Sequence, residues 1–468
     1  MLRLLFVLLG ALAPVLTGCA SPIRSTPSLP PPRTLGLPPD MAIGQPAPDD
    51  RTLPVAGGRT DAEAKSDRVI TLELAIQRVL ARSPDLAAAA EAVRAREGDA
   101  RQASLWPNPE LIGEAENFSG SGDRDKFESA EYTVSLAQPI DVSGKIRSQA
   151  TAADYERRIS GWDYEATRLD LITSTRKAFA VLVAAQRTVD LTNELARLAD
   201  NLAAAVDARV RAGKVPPVEG TRIVVVKSAA RAEALKAEQE LSTAQAALSA
   251  LWGEIVAPGS RAKEDRSPAA ELPPPEVLER LLAGAPEAAR WSDEIALREA
   301  ELRLARASAF PDITASVGAR HFADNDDYAF IAGLAVPLPV VDRNQGAIAA
   351  AASRRTEAER RKAAFLARQQ AEFRASYDAV RRAEISLRSL DGRIIPAAQS
   401  VFSATTAGYQ AGKFSLIDLL DAQRTLFEAQ IQRVETQSEL TTALADLERL
   451  IARPVEAAQT SMPEAQTK

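Results

Sequence analysis

The chain has 468 residues, 46% of them hydrophobic, and a formal net charge of −6 at pH 7. That apolar content excludes a wholly disordered chain, and the acidic balance argues against a nucleic-acid-binding protein, which needs a basic surface to neutralise phosphates. One cysteine, one histidine and three methionines exclude a disulfide framework and a Cys/His or Met-rich metal site, so we expect neither a bound metal nor a cofactor.

The first 18 residues have the pattern of a bacterial signal peptide. A basic start precedes an apolar run over residues 4–16, which is too short for a comfortable transmembrane helix. The run leads into Leu16-Thr17-Gly18-Cys19, which resembles a lipobox and contains the single cysteine of the chain. We therefore predict cleavage before Cys19 and its lipidation, and Ala20 favours delivery to the outer membrane. The alternative is an ordinary signal peptide followed by an incidental cysteine.

Proline-rich breaks divide the remaining chain. Ten prolines between Pro22 and Pro54 are typical of an extended tether. The predicted segments are the lipidated tether 19–70, the first repeat 71–257, the linker 258–275, the second repeat 276–452 and a disordered tail 453–468.

Four landmarks recur in the two halves at a spacing of about 200 residues. The matched pairs are Trp106-Pro107 with Phe310-Pro311, Gln138-Pro139 with Val336-Pro337, Arg211-Ala212-Gly213 with Gln410-Ala411-Gly412, and Leu248 with Leu447. A constant spacing in a constant order indicates a duplication. Each copy is predicted to run helix, strand, strand, long helix, turn and helix.

Long helices dominate both copies. The first copy begins with a predicted helix over residues 71–105, which the prolines at 107 and 109 end. Residues 143–212 contain no proline and predict a helix of roughly 105 Å, far longer than a globular core requires. Residues 344–411 predict its counterpart, with a kink or junction at Pro396.

Each copy also has two segments in which apolar and polar residues alternate. They are 110–118 and 131–140 in the first copy, and the segments around Val317 and Phe330 in the second. Their length suits a tilted strand that crosses a bilayer. Four strands cannot close a barrel, so the strands must be shared between chains. Two chains give eight strands, whose interior side chains fill, whereas three give twelve and leave a lumen.

Four segments carry a resemblance to TolC-type outer membrane factors, and among them to the CzcC-like channels of heavy-metal resistance-nodulation-division (RND) pumps. They are Trp106-Pro107-Asn108-Pro109-Glu110-Leu111 with Glu116-Asn117-Phe118, Gln138-Pro139-Ile140-Asp141-Val142-Ser143-Gly144-Lys145, and Val336-Pro337-Leu338-Pro339-Val340-Val341-Asp342-Arg343-Asn344-Gln345-Gly346. The resemblance covers about residues 71–452.

The resemblance implies the outer membrane efflux fold, mainly α with a small β part. A homotrimer would form a twelve-stranded barrel in the outer membrane of a Gram-negative bacterium, continued by an α-helical barrel in the periplasm. The resemblance further implies a periplasmic adaptor and an inner-membrane RND pump as partners, export of heavy-metal cations, and no catalysis.

Two aspartates follow the turn Gly412-Lys413 and are candidates for a periplasmic gate. Asp418 and Asp421 are three residues apart, so on a helix their carboxylates share one face. Six carboxylates around a threefold axis would attract cations, and their coupling would raise some of their pKa values above the usual ~4. The TolC-type family has two aspartates at this spacing that narrow the entrance. The alternative is a solvated acidic patch, or pairing within the helix between residues four positions apart.

The resemblance adds Glu219 and Tyr409 to the candidate gate. In the family an acidic residue at the place of Glu219 helps to hold the entrance shut, with a Tyr and an Arg from the second copy. Tyr409 matches the Tyr, but Phe414 stands where the best-known member has the Arg. The charged lock is therefore missing or replaced by Lys413, and an ordinary acid at a helix N-terminus is the alternative for Glu219.

Other functions remain open from the sequence. A duct for drugs or for type I secretion would have the same fold. A periplasmic coiled-coil tether lipoprotein is an alternative of a different class, against which the four strand segments argue. We expect no enzyme, because the chain lacks a Ser/His/Asp set and a phosphate-binding glycine loop. His321 alone cannot build a metal site.

Overall fold

A computed structural model describes residues 69–124, 127–253, 260–263 and 272–455. The predicted signal peptide, Cys19 and nearly all of the predicted tether lie outside these residues, as do most of the predicted linker and tail.

Helices make up most of the structure, as predicted. They are α1 (Leu72–Arg82), α2 (Pro84–Ala103), α3 (Lys145–Arg211), α4 (Pro217–Ala250), α5 (Pro275–Leu282), α6 (Pro286–Ala307), α7 (Gln345–Ser389), α8 (Ile395–Gln410) and α9 (Leu416–Ile451). A π-helical turn, Leu390–Ile394, joins α7 to α8. Among these helices none combines the length and the hydropathy that crossing a membrane requires.

Helix α3 is the longest helix in the described part of the chain. Its 67 residues span about 100 Å, because an α-helix rises about 1.5 Å per residue. It begins near the end of a strand and ends at a turn, from which α4 returns along it. Asp200 of α3 pairs with both Lys227 and Arg231 of α4, each at 3.0 Å. Between α5, α7 and α9 lies an apolar core in which Phe373 and Val380 are fully buried.

The strands form two separate sheets. They are β1 (Val69–Thr71), β2 (Glu110–Glu116), β3 (Glu131–Ile140), β4 (Arg261–Lys263), β5 (Ile313–Phe322) and β6 (Asp327–Ala335). The larger sheet has the order β2-β3-β5-β6 and is antiparallel throughout. Strands of the two repeats therefore meet at its centre, where β3 and β5 pair over their full length. Within the described residues, β2 and β6 each have one neighbour and form the edges.

The register of the larger sheet places the apolar residues of neighbouring strands opposite one another. Val134 pairs with Ala319, which pairs with Phe330, so apolar side chains of neighbouring strands share one face. The large residues of this apolar face are Leu111, Tyr132, Val134, Leu136, Val317, Tyr328, Phe330 and Leu334. Phe330 is 96% exposed. The opposite, polar face carries Glu114, Thr133 and Arg320.

The structure corrects the first predicted helix and the first predicted strand. Helix 71–105 is interrupted at Ser83, whose ψ of 123° is extended, and α2 begins at Pro84. Proline has no N–H to donate and disfavours helical backbone in the residue before it, which explains the break. The strand predicted over 110–118 ends at Glu116, because Asn117 has a φ of 56° in the left-handed region.

The junction predicted at Pro396 lies slightly earlier in the chain. The π-helical turn Leu390–Ile394 precedes this proline, which is an early residue of α8. Pro396 cannot donate to the carbonyl of Gly392, and its ring crowds that carbonyl. A wider turn just before the proline relieves the crowding without ending the helical path.

Pairings between distant residues were not predicted. β1 pairs in parallel with β4, which falls inside the predicted linker 258–275. The N–H of Ala262 donates to Oε1 of Gln186 at 3.1 Å, which attaches this small sheet to α3. The predicted disordered tail 453–468 is wrong at its start: Val455 is buried, and its N–H donates to Oε1 of Glu448 at 2.9 Å.

Candidate periplasmic gate

The α3–α4 and α8–α9 connections have the same local structure. Gly213 and Gly412 occupy equivalent positions with φ of 67° and 74°, where glycine avoids the strain that a Cβ atom would add. The next residue donates its N–H back to a carbonyl of the last helical turn, from Lys214 to Arg209 at 2.9 Å and from Lys413 to Gly408 at 2.8 Å. Both bonds belong to the Schellman motif, which ends a helix in a tight turn.

Asp418 is the third residue of α9 and takes part in a capping box. Its carboxylate accepts from the N–H and the hydroxyl of Ser415 at 2.9 and 2.7 Å, while its own N–H donates to Oγ of Ser415. The hydroxyl of Ser415, followed by its N–H, lowers the pKa of Asp418. Repulsion between carboxylates in the predicted ring would instead raise the pKa of Asp418, so the two effects act in opposite directions.

Asp421 is also exposed and lies one turn further along α9. Its Oδ1 accepts from Nη2 of Arg424 at 2.6 Å, so this carboxylate pairs within its own helix, with a residue three positions away and not four as in the alternative interpretation. Leu419 between the two aspartates is buried and directs both carboxylates towards solvent. Sequence reasoning missed Arg424, although its spacing of three residues from Asp421 was a usable signal.

Glu219 occupies in the first repeat the position that Asp418 has in the second. It is the third residue of α4, but the residue before this helix is Pro216, which has neither an N–H nor a hydroxyl to donate. The N–H of Glu219 donates to the carbonyl of Pro216 at 3.0 Å. Within the described part of the chain, the buried Oε2 of Glu219 has no hydrogen-bond partner.

Tyr409 lies in the last turn of α8 and faces the first repeat. Its side chain is 7% exposed and packs in an apolar cluster with Val206, Ile223, Leu416 and Leu419. Its hydroxyl is buried without a hydrogen-bond partner among the described residues. The guanidinium carbon of Arg209 lies 4.7 Å from the centre of its ring. Sequence reasoning missed Arg209, because nothing in the sequence pairs residues that lie 200 positions apart.

A family profile described as "Outer membrane efflux protein" matches residues 75–254 and 277–453. The chain belongs to this family. The match falls into two parts, one for each predicted repeat, and its description confirms the predicted efflux role and outer membrane location. The family is one of transport ducts.

Known proteins are similar in sequence to this outer membrane efflux protein over most of its length. It is 31% identical to the cobalt-zinc-cadmium resistance protein CzcC of Cupriavidus metallidurans, over 82% of this chain and 90% of that protein. It is 27% identical to the pyoverdine export outer membrane protein OpmQ of Pseudomonas aeruginosa, over 81% and 86%. The crystal structure of the outer membrane protein VceC from Vibrio cholerae has a TM-score of 0.69 at 20% identity, over 81% and 95%, and confirms the fold.

The sheet of this outer membrane efflux protein places its charges on the polar face. Arg320 donates to Thr133 at 2.9 Å and to Glu131 at 2.7 Å, and pairs with Glu116 at 2.8 Å. One cation thus joins all three neighbouring strands β2, β3 and β5. The arrangement keeps charged groups away from the apolar face.

His321 lies at the far end of the sheet, on the apolar face. Its ring is 6.4 Å from that of Tyr132 and 4.7 Å from that of Tyr328, and its Nε2 is 2.8 Å from Oδ1 of Asp326. In the described part of the chain, no three His, Cys, Asp or Glu residues are grouped so that they could hold a metal ion. The aromatic neighbours give His321 a place in the packing of the sheet end.

Proposed function

We propose that this protein is the exit duct of a tripartite RND-type efflux pump, that it acts as a homotrimer, and that it exports heavy-metal cations. A periplasmic adaptor and an inner-membrane RND pump would be its partners, and outer membrane lipid would surround its strands. The duct itself performs no catalysis, binds no nucleic acid and holds no cofactor. Asp418, Asp421, Glu219 and Tyr409 would form its periplasmic gate.

The exposed apolar face of the larger sheet carries this proposal. Transfer of a large apolar side chain from water is worth about 2 kcal/mol, so an exposed Phe330 together with Leu111 and Leu334 favours a lipid environment. The polar face, with Arg320 and its glutamates, would line the lumen. Helix α3 begins five residues after β3 and is about 100 Å long, which suits a passage through the periplasm.

The edges of the sheet support the trimer. In lipid, unpaired N–H and C=O groups along β2 and β6 would cost several kcal/mol each. Pairing β6 of one chain with β2 of the next satisfies both edges, and three chains supply twelve strands. In a periplasmic tether lipoprotein, the apolar face and both edges of the sheet would remain exposed to water.

Metal cargo is supported by the relative that covers most of the chain. CzcC is described as a cobalt-zinc-cadmium resistance protein, and exposed carboxylates at the turn of α9 would attract such cations. The pyoverdine export outer membrane protein OpmQ, at 27% identity, supports a second candidate, a duct for organic molecules such as pyoverdine.

Cysteine cross-linking tests the shared sheet. Gly113→Cys on β2 is combined in turn with a cysteine at position 330, 332 or 334 of β6, all on the apolar face, where they cover about 14 Å of strand. Because the chain's own cysteine is the predicted lipid acceptor, the engineered thiols would react with each other. We expect linked dimers and trimers, and a native mass of three chains.

The matched control is Val134→Cys with Ala319→Cys, which are partners on β3 and β5 of one chain. This pair should cross-link without changing the mass. Oxidation of the control alone, or a conducting monomer or dimer, would contradict the trimer.

Cargo is tested by deletion of the gene in its host. Loss of tolerance to zinc, cobalt and cadmium with unchanged pyoverdine export supports metal efflux. The reverse result supports the second candidate. An RND pump and adaptor encoded beside the gene would support the assembly, and the metal-binding residues of that pump would name the cargo.

Lipidation is a separate proposal, since Cys19 lies outside the described residues. Cys19→Ala should abolish labelling by radioactive palmitate. Conduction should persist, because the strands carry the affinity for the membrane. Label in the variant would contradict the lipid anchor.

A further inference from the structure

Arg209 joins the two repeats next to the candidate gate. It lies in the last turn of α3, where the Schellman turn at Gly213 fixes the backbone. Its guanidinium stacks on the ring of Tyr409 and faces the carbonyls of Tyr409 and Gln410, at 3.5 and 3.3 Å from its nitrogens. Both carbonyl contacts are long, so the stacking is the stronger contact. A cation at the C-terminus of α8 is also favoured by the helix dipole.

Phe414, which stands where an arginine was expected, cannot supply a cation to Tyr409. Phe414 lies against the backbone of Gly408: a Cβ atom at position 408 would be 2.0 Å from Cδ2 of its ring. The ring therefore folds back from the turn onto the end of α8. The side chain of Lys413 is exposed. Among the described residues, Arg209 is the cation that contacts Tyr409.

Buried polar atoms in this region oppose the packed arrangement. The hydroxyl of Tyr409 and Oε2 of Glu219 are both buried without a hydrogen-bond partner in the described chain. Such atoms regain hydrogen bonds with water when the surrounding helices separate. A contact that favours the packed arrangement is therefore needed, and the stacking of Arg209 on Tyr409 supplies one.

We propose that Arg209 is a positioning residue that holds Tyr409, and with it the end of α8, against the first repeat, and so keeps the periplasmic entrance closed. It acts through the aromatic ring of Tyr409 and not through the hydroxyl. This inference rests on the proposed function as a channel. The cation that holds the entrance is thus supplied by the first repeat, because the second repeat has Phe414 in place of the expected arginine.

Planar-bilayer recording of the purified trimer tests the inference. Arg209→Ala should raise the resting conductance roughly fivefold, the size expected for loss of a partly buried cation–π contact. Arg209→Gln keeps a polar side chain, which is shorter and uncharged, and should have a similar effect. The matched control is Arg211→Ala, two residues along the same helix. Arg211 is exposed and pairs with Asp207 at 3.0 Å, so its loss should leave the conductance unchanged.

A double-mutant cycle separates positioning from a general loosening of the fold. In a Tyr409→Phe background, which keeps the ring, Arg209→Ala should still raise the conductance. In a Tyr409→Leu background, which lacks the ring, Arg209→Ala should add nothing. A merely structural role of Arg209 predicts the same increment in both backgrounds.

The outcomes distinguish this inference from the proposed function. If neither the wild-type trimer nor any of the variants conducts, the channel itself is contradicted. A conducting wild type with unchanged conductance in Arg209→Ala or Arg209→Gln overturns the role of Arg209 alone, as do equal increments in the two backgrounds. Should Arg209→Ala fail to form trimers, Arg209→Gln and Tyr409→Leu decide by the same criterion.

Discussion

The α3–α4 turn and the α8–α9 turn differ in the residue just before the second helix. Both have a glycine with positive φ, a lysine after it and an acidic third helical residue. In the second turn Ser415 caps the helix and its two donors hold the carboxylate of Asp418. In the first turn Pro216 offers no donor, and Oε2 of Glu219 is buried without a partner in the described chain.

This difference shows how a duplicated turn can acquire two roles. A capped carboxylate has a fixed place and its charge is held in solvent. An uncapped carboxylate remains available for another partner, and burial makes the absence of one costly. We infer that the second turn presents charge to the entrance, whereas the first turn responds to how tightly the helices pack.

The tight packing of Phe414 should give the largest effect. Gly408→Ala would place a Cβ atom 2.0 Å from the Phe414 ring, and displacing that ring should cost about 1–3 kcal/mol of unfolding free energy. Denaturation of the detergent-solubilised protein measures this. The matched control in the first turn is Gly220→Ala, whose Cβ would meet Cγ2 of Val210 at 3.7 Å, an ordinary contact. It should stabilise by about 0.5–1 kcal/mol. Equal losses of unfolding free energy in both variants would contradict the expected difference in packing between the two turns.

Removal of the charges at the second turn should have the next largest effect. Asp418→Asn with Asp421→Asn removes about six negative charges from a trimer, and the cation-over-anion permeability ratio should fall several-fold. Block by hexamminecobalt should weaken as well. The fold should change little, because Asn keeps an oxygen that accepts from Ser415. Glu219→Gln is the comparison and should leave the selectivity nearly unchanged. If the double variant keeps wild-type selectivity and block, the two aspartates are only a solvated patch.

Exchange of the caps should change the two turns in opposite directions. Ser415→Ala removes a cap and should destabilise by about 1 kcal/mol. Pro216→Ser supplies a hydroxyl and an N–H where the backbone, at φ −62° and ψ 146°, already suits a capping residue. It should stabilise by several tenths of a kcal/mol and draw Glu219 into a capping box. Thermal melts measure both effects, and a destabilising Pro216→Ser would show that the missing cap is not what sets Glu219 apart.

The smallest effect concerns pH. The pKa of Asp418 is lowered by Ser415, so its contribution to stability is complete above the unfolded value of about 4. It is lost as the pH falls through the lowered folded value. The stability difference between wild type and Asp418→Asn should therefore be constant from pH 7 to about 5 and shrink below about pH 4. In a Ser415→Ala background this pH dependence should largely disappear. A midpoint above pH 5 would indicate that repulsion between chains dominates.

The accuracy of the sequence predictions followed the range of the interactions involved. Strand β3 was predicted with its observed bounds, because alternation of side chains is a local pattern. The break at Ser83 was missed although Pro84 marks it, since the apolar spacing continued through it. The pairing of β1 with β4 joins residues about 190 positions apart in short segments without periodicity, and it could not be read from the chain.

For the candidate gate, too, local features were predicted from the sequence and long-range contacts were missed. Asp418 and Asp421 were found because their spacing on a helix and the preceding glycine turn are local features. The contact between Arg209 and Tyr409 was missed because it depends on how two hairpins from different repeats pack. Arg320 was known only as one member of an alternating strand until the register placed it beside Glu131 and Glu116.

The sequence by itself determined the helices, the strands, the duplication and the positions of the turns, because each depends on the period of apolar residues or on glycine and proline. The tertiary structure decided which strand lies beside which, which charges are paired and which carboxylate is left without a donor. These depend on contacts between residues far apart in the chain, where burial and hydrogen bonding are set by packing and not by any local pattern.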